Sequence, residues 1–388
     1  MIGEDEINEV VDSMRSGWVT TGPKVRSFEE AFAAYVGAPY AIAVNSCTAA
    51  LHLSLAALGI GPGDEVIVPT MTFCATANVV FHLGAQPVLV DVDQHGLIDM
   101  TAARRAVSPR TRAIVPVHYA GQACDLEGIL DLARATGLKV VEDAAHAIGT
   151  EYRGRRIGTF GDTTAFSFYA TKNMTTGEGG MITTSNPDVA ARVRRLALHG
   201  MSRDAWNRYA QTGSWYYQVL EPGYKYNMTD IQAAIGIHQL RKLDAFIRRR
   251  REIAAVYRRS FADLPELELP RELAGRFHVY HIFPVRLRTT LERGEFIEEL
   301  KQRNIGASVH FIPLHRHPYF RADEWNCTKV FPGADRMYEG LLSLPLYPAM
   351  TDSDVQDVVD AVRDIVTQNR IPVFSQEPET AYVEGVCQ

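Results

Sequence analysis

The chain has 388 residues with an ordinary globular composition, 46% hydrophobic and 22% charged, and is long enough for two domains. Its formal net charge of −6 argues against a protein that binds nucleic acid non-specifically. No apolar run could cross a bilayer, and the N-terminus does not resemble a signal peptide, which predicts a soluble cytoplasmic protein with no membrane partner. The five cysteines form no CxxC pair and are expected to be free thiols.

The first half of the chain alternates between helical and strand-like patterns. Helices are predicted at 4–16, at 27–37 behind a capping box that starts at Ser27, at 126–135 and at 189–199. Strands are predicted at 40–44, 65–69, 86–92, 111–117, 138–143, 164–168 and 181–184. This alternation indicates an α/β fold in which a mostly parallel sheet lies between layers of helices.

Chemically useful side chains follow several of these strands. Thr48 follows the first strand at a helix start, Phe73, Tyr119 and Asp143 follow later ones, and Lys172 follows the strand at 164–168. Because the carboxyl ends of parallel strands meet at one sheet edge, these side chains are expected to share one ligand site. Each also has an ordinary explanation taken alone: a helix cap for Thr48 or Asp143, core packing for Phe73 and a solvated loop for Lys172.

The combination of these residues fits one cofactor better than any residue does alone. Lys172 lies between two strand-like runs and precedes a stretch with three glycines, where the backbone can approach a ligand closely. Desolvation would lower its pKa and make its amine a nucleophile toward carbonyl groups. Pyridoxal phosphate needs such an amine, a carboxylate beside its ring nitrogen, a flat wall for its ring, and donors at a helix start for its phosphate.

The second half is predicted to contain a smaller domain. An irregular stretch at 200–226 carries seven aromatic residues and is expected to pack on a second subunit. A long helix at 229–261 then leads to strands near 279–287 and 307–312 and to helices near 294–303 and 351–367. We therefore divide the chain into a large cofactor-binding domain at 1–240, a small C-terminal α+β domain at 241–370 and a polar tail at 371–388.

Residues 310–320 carry three histidines, at positions 310, 315 and 317. Zinc is one interpretation of this cluster, but the flanking prolines and the lack of nearby acids or cysteines argue against it. We expect a loop that faces the substrate and no metal.

Several stretches of the chain match one known family in order. The segments 16–23, 45–51, 69–76, 142–149, 166–180 and 223–236 closely resemble the DegT/StrS family of nucleotide-sugar aminotransferases, and the resemblance extends to about residue 367. Ser-Gly-Trp-Val-Thr-Thr-Gly-Pro, Val-His-Tyr-Ala-Gly and Pro-Gly-Tyr-Lys-Tyr-Asn look like its branch of UDP-4-amino-4-deoxy-L-arabinose–oxoglutarate aminotransferases. The region 305–340 departs from that branch, and the N-terminus is expected to be shortened relative to the family.

The resemblance implies a fold type I pyridoxal-phosphate-dependent aminotransferase, with a large domain, a smaller C-terminal α+β domain, and a homodimer that shares its active sites. It assigns Lys172 to the Schiff base with the cofactor, Asp143 to the pyridine nitrogen and Phe73 to stacking on the ring. His146 would lie near the ring oxygen. The resemblance places the phosphate against Thr48, the backbone of Ala49, Ser167 and, from the partner subunit, Asn227. Substrate contacts are expected at Thr21, Tyr119, His310, His315 and Tyr319.

The implied reaction transfers an amino group from L-glutamate to a nucleotide-linked keto sugar, with C4 of a UDP-4-keto sugar as the expected position. Glutamine is the alternative donor, and lipopolysaccharide or antibiotic sugars are the expected product class. One alternative is an aminotransferase that acts on a keto-cyclitol such as scyllo-inosose. A sugar dehydratase of the same fold is a weaker alternative, since such relatives replace the lysine with histidine. A non-enzymatic cofactor-binding regulator would need a DNA-reading module, which the sequence does not suggest.

Overall fold

The structure is a computed structural model that describes residues 2–202, 216–288, 291–322 and 329–369. The strands in chain order are β1 (Tyr40–Val44), β2 (Glu65–Pro69), β3 (Gln86–Val90), β4 (Thr111–Ile114), β5 (Lys139–Asp143), β6 (Glu151–Tyr152), β7 (Arg155–Arg156), β8 (Thr163–Ser167), β9 (Gly180–Thr184), β10 (Leu267–Glu268), β11 (Arg276–Phe277), β12 (Phe283–Leu287) and β13 (Leu341–Leu344).

The α-helices are α1 (Glu4–Ser16), α2 (Pro23–Val36), α3 (Cys47–Ala57), α4 (Ala75–His82), α5 (Met100–Arg105), α6 (Leu126–Thr136), α7 (Pro187–Leu196), α8 (Asp230–Ser260), α9 (Arg293–Gln302), α10 (Pro318–Arg321), α11 (Pro332–Gly340) and α12 (Asp352–Gln368). Within the described ranges, none of these helices is long and apolar enough to cross a membrane.

Seven strands form the central sheet, in the order β1-β9-β8-β5-β4-β2-β3. The pairings that join β8, β5, β4, β2 and β3 are parallel, whereas β9 runs antiparallel to both β8 and β1. Strands β2 and β8 are buried along their whole length because helices cover both faces of a parallel sheet. The predicted mostly parallel α/β sheet is confirmed. Its carboxyl edge gathers the ends of β1, β2, β5 and β8.

One close backbone approach shapes this edge. Helix α3 starts directly after β1, and Ser46 caps it by accepting a hydrogen bond from the N–H of Ala49 at 3.1 Å. Gly180 at the start of β9 lies against this cap, since an added Cβ would lie 2.5 Å from the Ser46 carbonyl group. A glycine is therefore required where α3 meets β9.

The start of α2 differs from the prediction. The capping box at Ser27 is wrong, because α2 already begins at Pro23, with Gly22 as its N-cap. The carboxylate of Asp230 accepts hydrogen bonds from the N–H groups of Gly22, Lys24 and Val25 at 2.8, 3.1 and 3.0 Å. A side chain 208 residues away thus supplies the cap that the local sequence lacks.

The predicted strand at 307–312 is also wrong. Only an isolated bridge pairs Ser308 with Ser343, at the edge of the small sheet β10-β12-β13. The chain then turns toward the large sheet, where the N–H of Leu314 donates to the carbonyl of Thr70 at 2.8 Å. Burying Leu314 in the large core competes successfully with continued strand pairing. The predicted helices near 294–303 and 351–367 are confirmed as α9 and α12.

Buried apolar side chains form two separate clusters. One cluster surrounds the central sheet, and the other lies between the end of α8, β12, β13, α9 and α12. Phe320 and Phe331 belong to the first cluster although they lie far along the chain. The domain division at residue 240 stays a prediction. The tail at 371–388 and part of the aromatic stretch, 203–215, lie outside the described residues.

Candidate active site

Lys172 lies in a tight turn that follows β8 at the carboxyl edge of the sheet. Its backbone N–H donates to the carbonyl of Tyr169 at 2.9 Å. Just before the turn, the buried ring of Phe168 packs between Phe28 and Phe32, with centroid distances of 5.3 and 5.5 Å. This anchor fixes the end of the strand, and the lysine side chain beyond it is half-buried.

Asp143 ends β5, the strand next to β8 in the sheet, and lies opposite Ala165 of β8. Its carboxylate is buried, accepting hydrogen bonds from the Thr76 hydroxyl at 2.9 Å and from the N–H of Ala145 at 3.1 Å. Burial raises the pKa of Asp143, while these hydrogen bonds and the charge of Lys172 partly oppose the rise. The carboxylate would therefore be stabilised by a further positive charge beside it.

The pKa of the Lys172 amine depends on its burial and on two neighbouring acidic groups. Burial lowers its pKa, and nearby Cys47 and Asp143 partly restore it. A lower pKa leaves a larger fraction of the amine neutral at neutral pH, and the neutral amine is the form that attacks carbonyl carbon. The surroundings of Lys172 thus suit a nucleophile better than a structural cation.

Three histidines approach Lys172 from different parts of the chain. Burial, and then the charge of Lys172, lower the pKa of His146 and His310, and His281 lies in the same group. The rings of His146 and His281 lie 4.3 Å apart, and Phe311 stacks on His146 at 5.7 Å and 23°. These imidazoles are therefore neutral near the amine. Nδ1 of His146 is buried without a hydrogen-bond partner.

The predicted phosphate residues lie around the start of α3. Thr48 is exposed, Ser167 is buried at the end of β8 opposite Gly180, and the N–H of Ala49 is already used by its Ser46 cap. The N-terminus of this helix still places its partial positive charge beside Ser167. Roles for these residues at a phosphate stay predictions.

Asn227 and Thr21 contact each other. The Asn227 amide donates to the Thr21 hydroxyl at 2.7 Å, and that hydroxyl donates to the carbonyl of Met228 at 2.6 Å. Asn227 also forms a β-bridge with Val44, at the end of β1. The structure therefore groups both residues beside the start of α3 in their own chain, and the reach of Asn227 to a partner subunit stays a prediction.

An open aromatic groove of about 640 Å³ is lined in part by Phe311, the ring that stacks on His146. Phe73, 58% exposed, forms one side, with its ring 6.0 Å from that of Phe311. Tyr319, 65% exposed, packs edge-on against Phe81 on the other side, at 5.4 Å. The ring of Phe73 is thus exposed to the groove, and its stacking on a ligand stays a prediction.

The remaining predicted substrate residues are engaged within the protein. The buried Tyr119 hydroxyl donates to the carbonyl of His310, and burial holds the pKa of Tyr119 above its ordinary value. Nδ1 of His315 lies 2.8 Å from the Thr70 hydroxyl, and its Nε2 lies 3.0 Å from the carboxylate of Asp335. Tyr119 and His315 therefore support the loop at 310–317, an arrangement that suits positioning better than direct contact with a substrate.

The sequence analysis did not identify three neighbours of Lys172. Cys47 begins α3, and burial together with Asp143 raises the pKa of its thiol. Asn173 follows Lys172 directly, and its side-chain oxygen accepts a hydrogen bond from Nδ1 of His281 at 2.9 Å. The third neighbour is His281. The one sequence feature that could have indicated it is the position of this histidine inside the apolar run at 279–285. Among the residues that the structure describes, no group of three or more His, Cys, Asp or Glu side chains could hold a metal ion.

These residues fit pyridoxal phosphate. The half-buried amine of Lys172 suits the aldehyde of the cofactor. A protonated ring nitrogen would give the buried carboxylate of Asp143 a positive partner, and the exposed ring of Phe73 offers a flat wall for the cofactor ring. The unpartnered Nδ1 of His146 could bind a further polar group of the cofactor.

Comparisons with known proteins identify the family of this chain. A model of the DegT/DnrJ/EryC1/StrS aminotransferase family matches residues 1–363. The uncharacterized protein MJ1066 of Methanocaldococcus jannaschii is 54% identical over 373 residues, covering 95% of this chain and 97% of that protein. Spore coat polysaccharide biosynthesis protein SpsC of Bacillus subtilis is 53% identical over 371 residues, covering 94% and 95%. The PLP form of Spr1654 from Streptococcus pneumoniae, assigned as a sugar aminotransferase, is 34% identical with a TM-score of 0.88, covering 95% and 97%.

The fold and the site define the class as a pyridoxal-phosphate-dependent sugar aminotransferase of fold type I. The chain belongs to the DegT/DnrJ/EryC1/StrS aminotransferase family. The predicted family, fold class and cofactor are therefore confirmed.

Proposed function

We propose that this enzyme transfers an amino group from L-glutamate to a nucleotide-linked keto sugar, at C4 of a UDP-4-keto sugar, through a Schiff base on Lys172. The observation that carries the proposal is the half-buried Lys172 amine, whose pKa is lowered by burial, next to the buried carboxylate of Asp143. When bound, pyridoxal phosphate supplies an aldehyde that accepts the amino group and a ring that withdraws electrons.

Each side chain then has a defined task. The Nζ of Lys172, once free, takes the proton from the α-carbon of the amino donor and returns a proton on the acceptor side, acting as base and then acid. The carboxylate of Asp143 stabilises a positive ring nitrogen, and Thr76 holds that carboxylate in place. His146 stays neutral because burial and the charge of Lys172 lower its pKa, so it exchanges a hydrogen bond without adding charge.

The aromatic groove supports a nucleotide-linked acceptor. The exposed ring of Tyr319 can stack on a base or cover the face of a sugar ring, and the groove is lined by Phe311, whose ring stacks on His146. A groove of about 640 Å³ has room for more than a monosaccharide. SpsC is named for spore coat polysaccharide biosynthesis, and we extend this by proposing an amino sugar destined for a polysaccharide as the product.

We further propose a homodimer with shared active sites. Large apolar side chains are exposed near the start of α2 and around the end of the aromatic stretch, at Trp18, Val19, Tyr216, Tyr217 and Leu220. A second copy that covers this surface would remove it from water. In that arrangement the amide of Asn227 would serve the partner's phosphate.

The experiment is a donor and acceptor panel on the purified enzyme. L-Glutamate is expected to remove the visible absorbance of the bound cofactor and to release 2-oxoglutarate, whereas Lys172→Ala keeps its fold by circular dichroism and loses turnover. UDP- and dTDP-keto sugars and scyllo-inosose are then tested as acceptors, and C4 amination is read by NMR. Wild-type-like turnover by Lys172→Ala would overturn the mechanism, and preference for scyllo-inosose would replace the nucleotide sugar with a keto-cyclitol. A monomer in analytical ultracentrifugation would remove the role of Asn227.

A further inference from the structure

His281 comes from the C-terminal part of the chain but lies in the lysine site. Its ring is buried and lies 4.3 Å from that of His146. Its Nδ1 is 2.9 Å from the side-chain oxygen of Asn173, the residue directly after Lys172. His281 therefore contacts both the turn that carries the lysine and the imidazole that faces it.

The backbone of His281 is fixed on both sides. Its N–H donates to the carbonyl of Ala120 at 2.9 Å, in the loop that follows β4. Its carbonyl accepts a hydrogen bond at 2.9 Å from the buried guanidinium of Arg250, which also donates to the carbonyl of Leu346 at 2.7 Å. Arg250 lies on α8, so the long helix holds His281 in place against the sheet edge. A side chain on so constrained a backbone has little freedom to follow its neighbours.

The partner of His281 lies in the turn that carries the lysine. Asn173 belongs to the turn between β8 and β9, and its side-chain nitrogen is buried without a hydrogen-bond partner. The hydrogen bond between Nδ1 of His281 and Oδ1 of Asn173 thus joins this turn to the C-terminal part, alongside the hydrogen bonds of Gln232 and Gln239 on α8 to Glu178 and Thr175. The lowered pKa of His281, caused by burial and then by the charges of its neighbours, keeps the ring neutral, with one N–H available for this bond.

We propose that His281 is a positioning residue for Lys172: it holds Asn173, and with it the lysine turn, at the distance that the reaction needs. This inference rests on the proposed role of Lys172. Displacements of about 1 Å in a reacting group can lower a rate about 100-fold, so a single buried hydrogen bond next to the lysine is sufficient to matter. The contact also couples the C-terminal part of the chain, through Arg250, to the reacting amine.

The test compares His281→Ala with the matched control His278→Ala. His278 is also buried and lies three residues earlier, but its ring stacks on Tyr280 at 4.0 Å and accepts from the Tyr280 N–H. His281→Ala is expected to lower kcat for the half-reaction with L-glutamate by about 10- to 100-fold with little change in KM. His278→Ala should keep kcat near that of the wild type even where it lowers the melting temperature. His281→Asn, which keeps a donor near the position of Nδ1, should restore part of kcat.

A second readout does not depend on turnover. Cyanate modifies neutral amines, so its reaction with Lys172 in cofactor-free protein, followed across pH by peptide mass spectrometry, reports how the amine is solvated. Loss of the His281 ring admits water, so the modification midpoint should move to higher pH in His281→Ala and not in His278→Ala. The titratable groups near Lys172 are Cys47, Asp143, His146, His281 and His310, and burial, Cys47 and Asp143 shift the pKa of its amine.

Asn173→Ala removes the same contact from the other side and serves if His281→Ala does not fold. The double variant should lose no more kcat than either single variant, because both remove one interaction. Equal kcat and equal cyanate profiles in His281→Ala and His278→Ala would overturn the inference. A failure of the His281 inference is distinguished from a failure of the proposed function by borohydride reduction followed by peptide mapping. Cofactor attached at a lysine other than Lys172 would reject the proposed function.

Discussion

Replacing Thr76 with valine tests how Asp143 is held. Thr76 is buried on α4, and its hydroxyl is one of two donors to the carboxylate, at 2.9 Å; the other is the N–H of Ala145 at 3.1 Å. The hydroxyl also lies 2.8 Å from that of Thr72. Valine has nearly the shape of threonine, so the substitution removes the donor to Asp143, together with the contact to the Thr72 hydroxyl, and changes the side-chain volume little.

The expected size follows from the bond that is lost. A hydrogen bond to a charged group contributes about 1.5–3 kcal/mol, and because the N–H of Ala145 remains, we expect the lower half of that range. That corresponds to a decrease in kcat/KM of roughly 10- to 40-fold for Thr76→Val. The loss also disfavours the ionised carboxylate, so the already raised pKa of Asp143 rises further. A higher pKa requires a higher pH for ionisation, and the acid limb of the pH–rate profile therefore moves to higher pH.

The assay follows the first half-reaction with L-glutamate by visible absorbance across pH, for the wild type, Thr76→Val and Thr76→Ser. Serine keeps the hydroxyl and loses one methyl group, so Thr76→Ser should lose some thermal stability but keep the wild-type pH profile. If valine and serine give the same rates and the same acid limb, the hydroxyl does not support Asp143 and the reasoning fails.

Three further predictions concern stability. Burial alone would raise the pKa of Glu6, but its hydrogen bonds lower it from 4.5 to about 2; Glu6→Gln should therefore lower the free energy of unfolding by about 2–3 kcal/mol at neutral pH in urea titrations. Its folded pKa lies below the unfolded value, so this difference should shrink as the pH falls from 4.5 toward 2; a constant difference would contradict the assignment. Asp230→Ala leaves three N–H groups of α2 without an acceptor and should cost about 3 kcal/mol, and an unchanged unfolding midpoint would exclude the cap. Gly180→Ala should lower the melting temperature because its Cβ would clash with Ser46, whereas Gly294→Ala, which meets nothing within 4 Å, should not.

The elements that the sequence predicted well carry their own local signals. Helix α1, strands β1 and β2 and the capping box of α8 all lie where the pattern of apolar residues and cap residues placed them. The strand ends then predicted which side chains share an edge, and the structure brings Lys172 and Asp143 together there. For these elements, the residues that specify the helix or strand lie within the element or a few residues from it.

The errors have the opposite cause. The start of α2 depends on Asp230, and the path of residues 307–312 depends on burying Leu314 against the large sheet. His281 is separated from Asn173 by 108 residues, so no spacing in the sequence could connect it with Lys172. Each of these features is a contact between distant segments, which a pattern read along the chain does not contain.

The cap that Asp230 places on α2 has a consequence for how the protein is made. Gly22 leaves the ribosome 208 residues before Asp230. At about 5–20 residues per second, the first turn of α2 waits roughly 10–40 s for its acceptor during synthesis. Throughout that interval the N-terminal segment holds free N–H groups and an uncovered apolar face. This segment would therefore remain accessible to a chaperone on the nascent chain until α8 is synthesised and packs against α2.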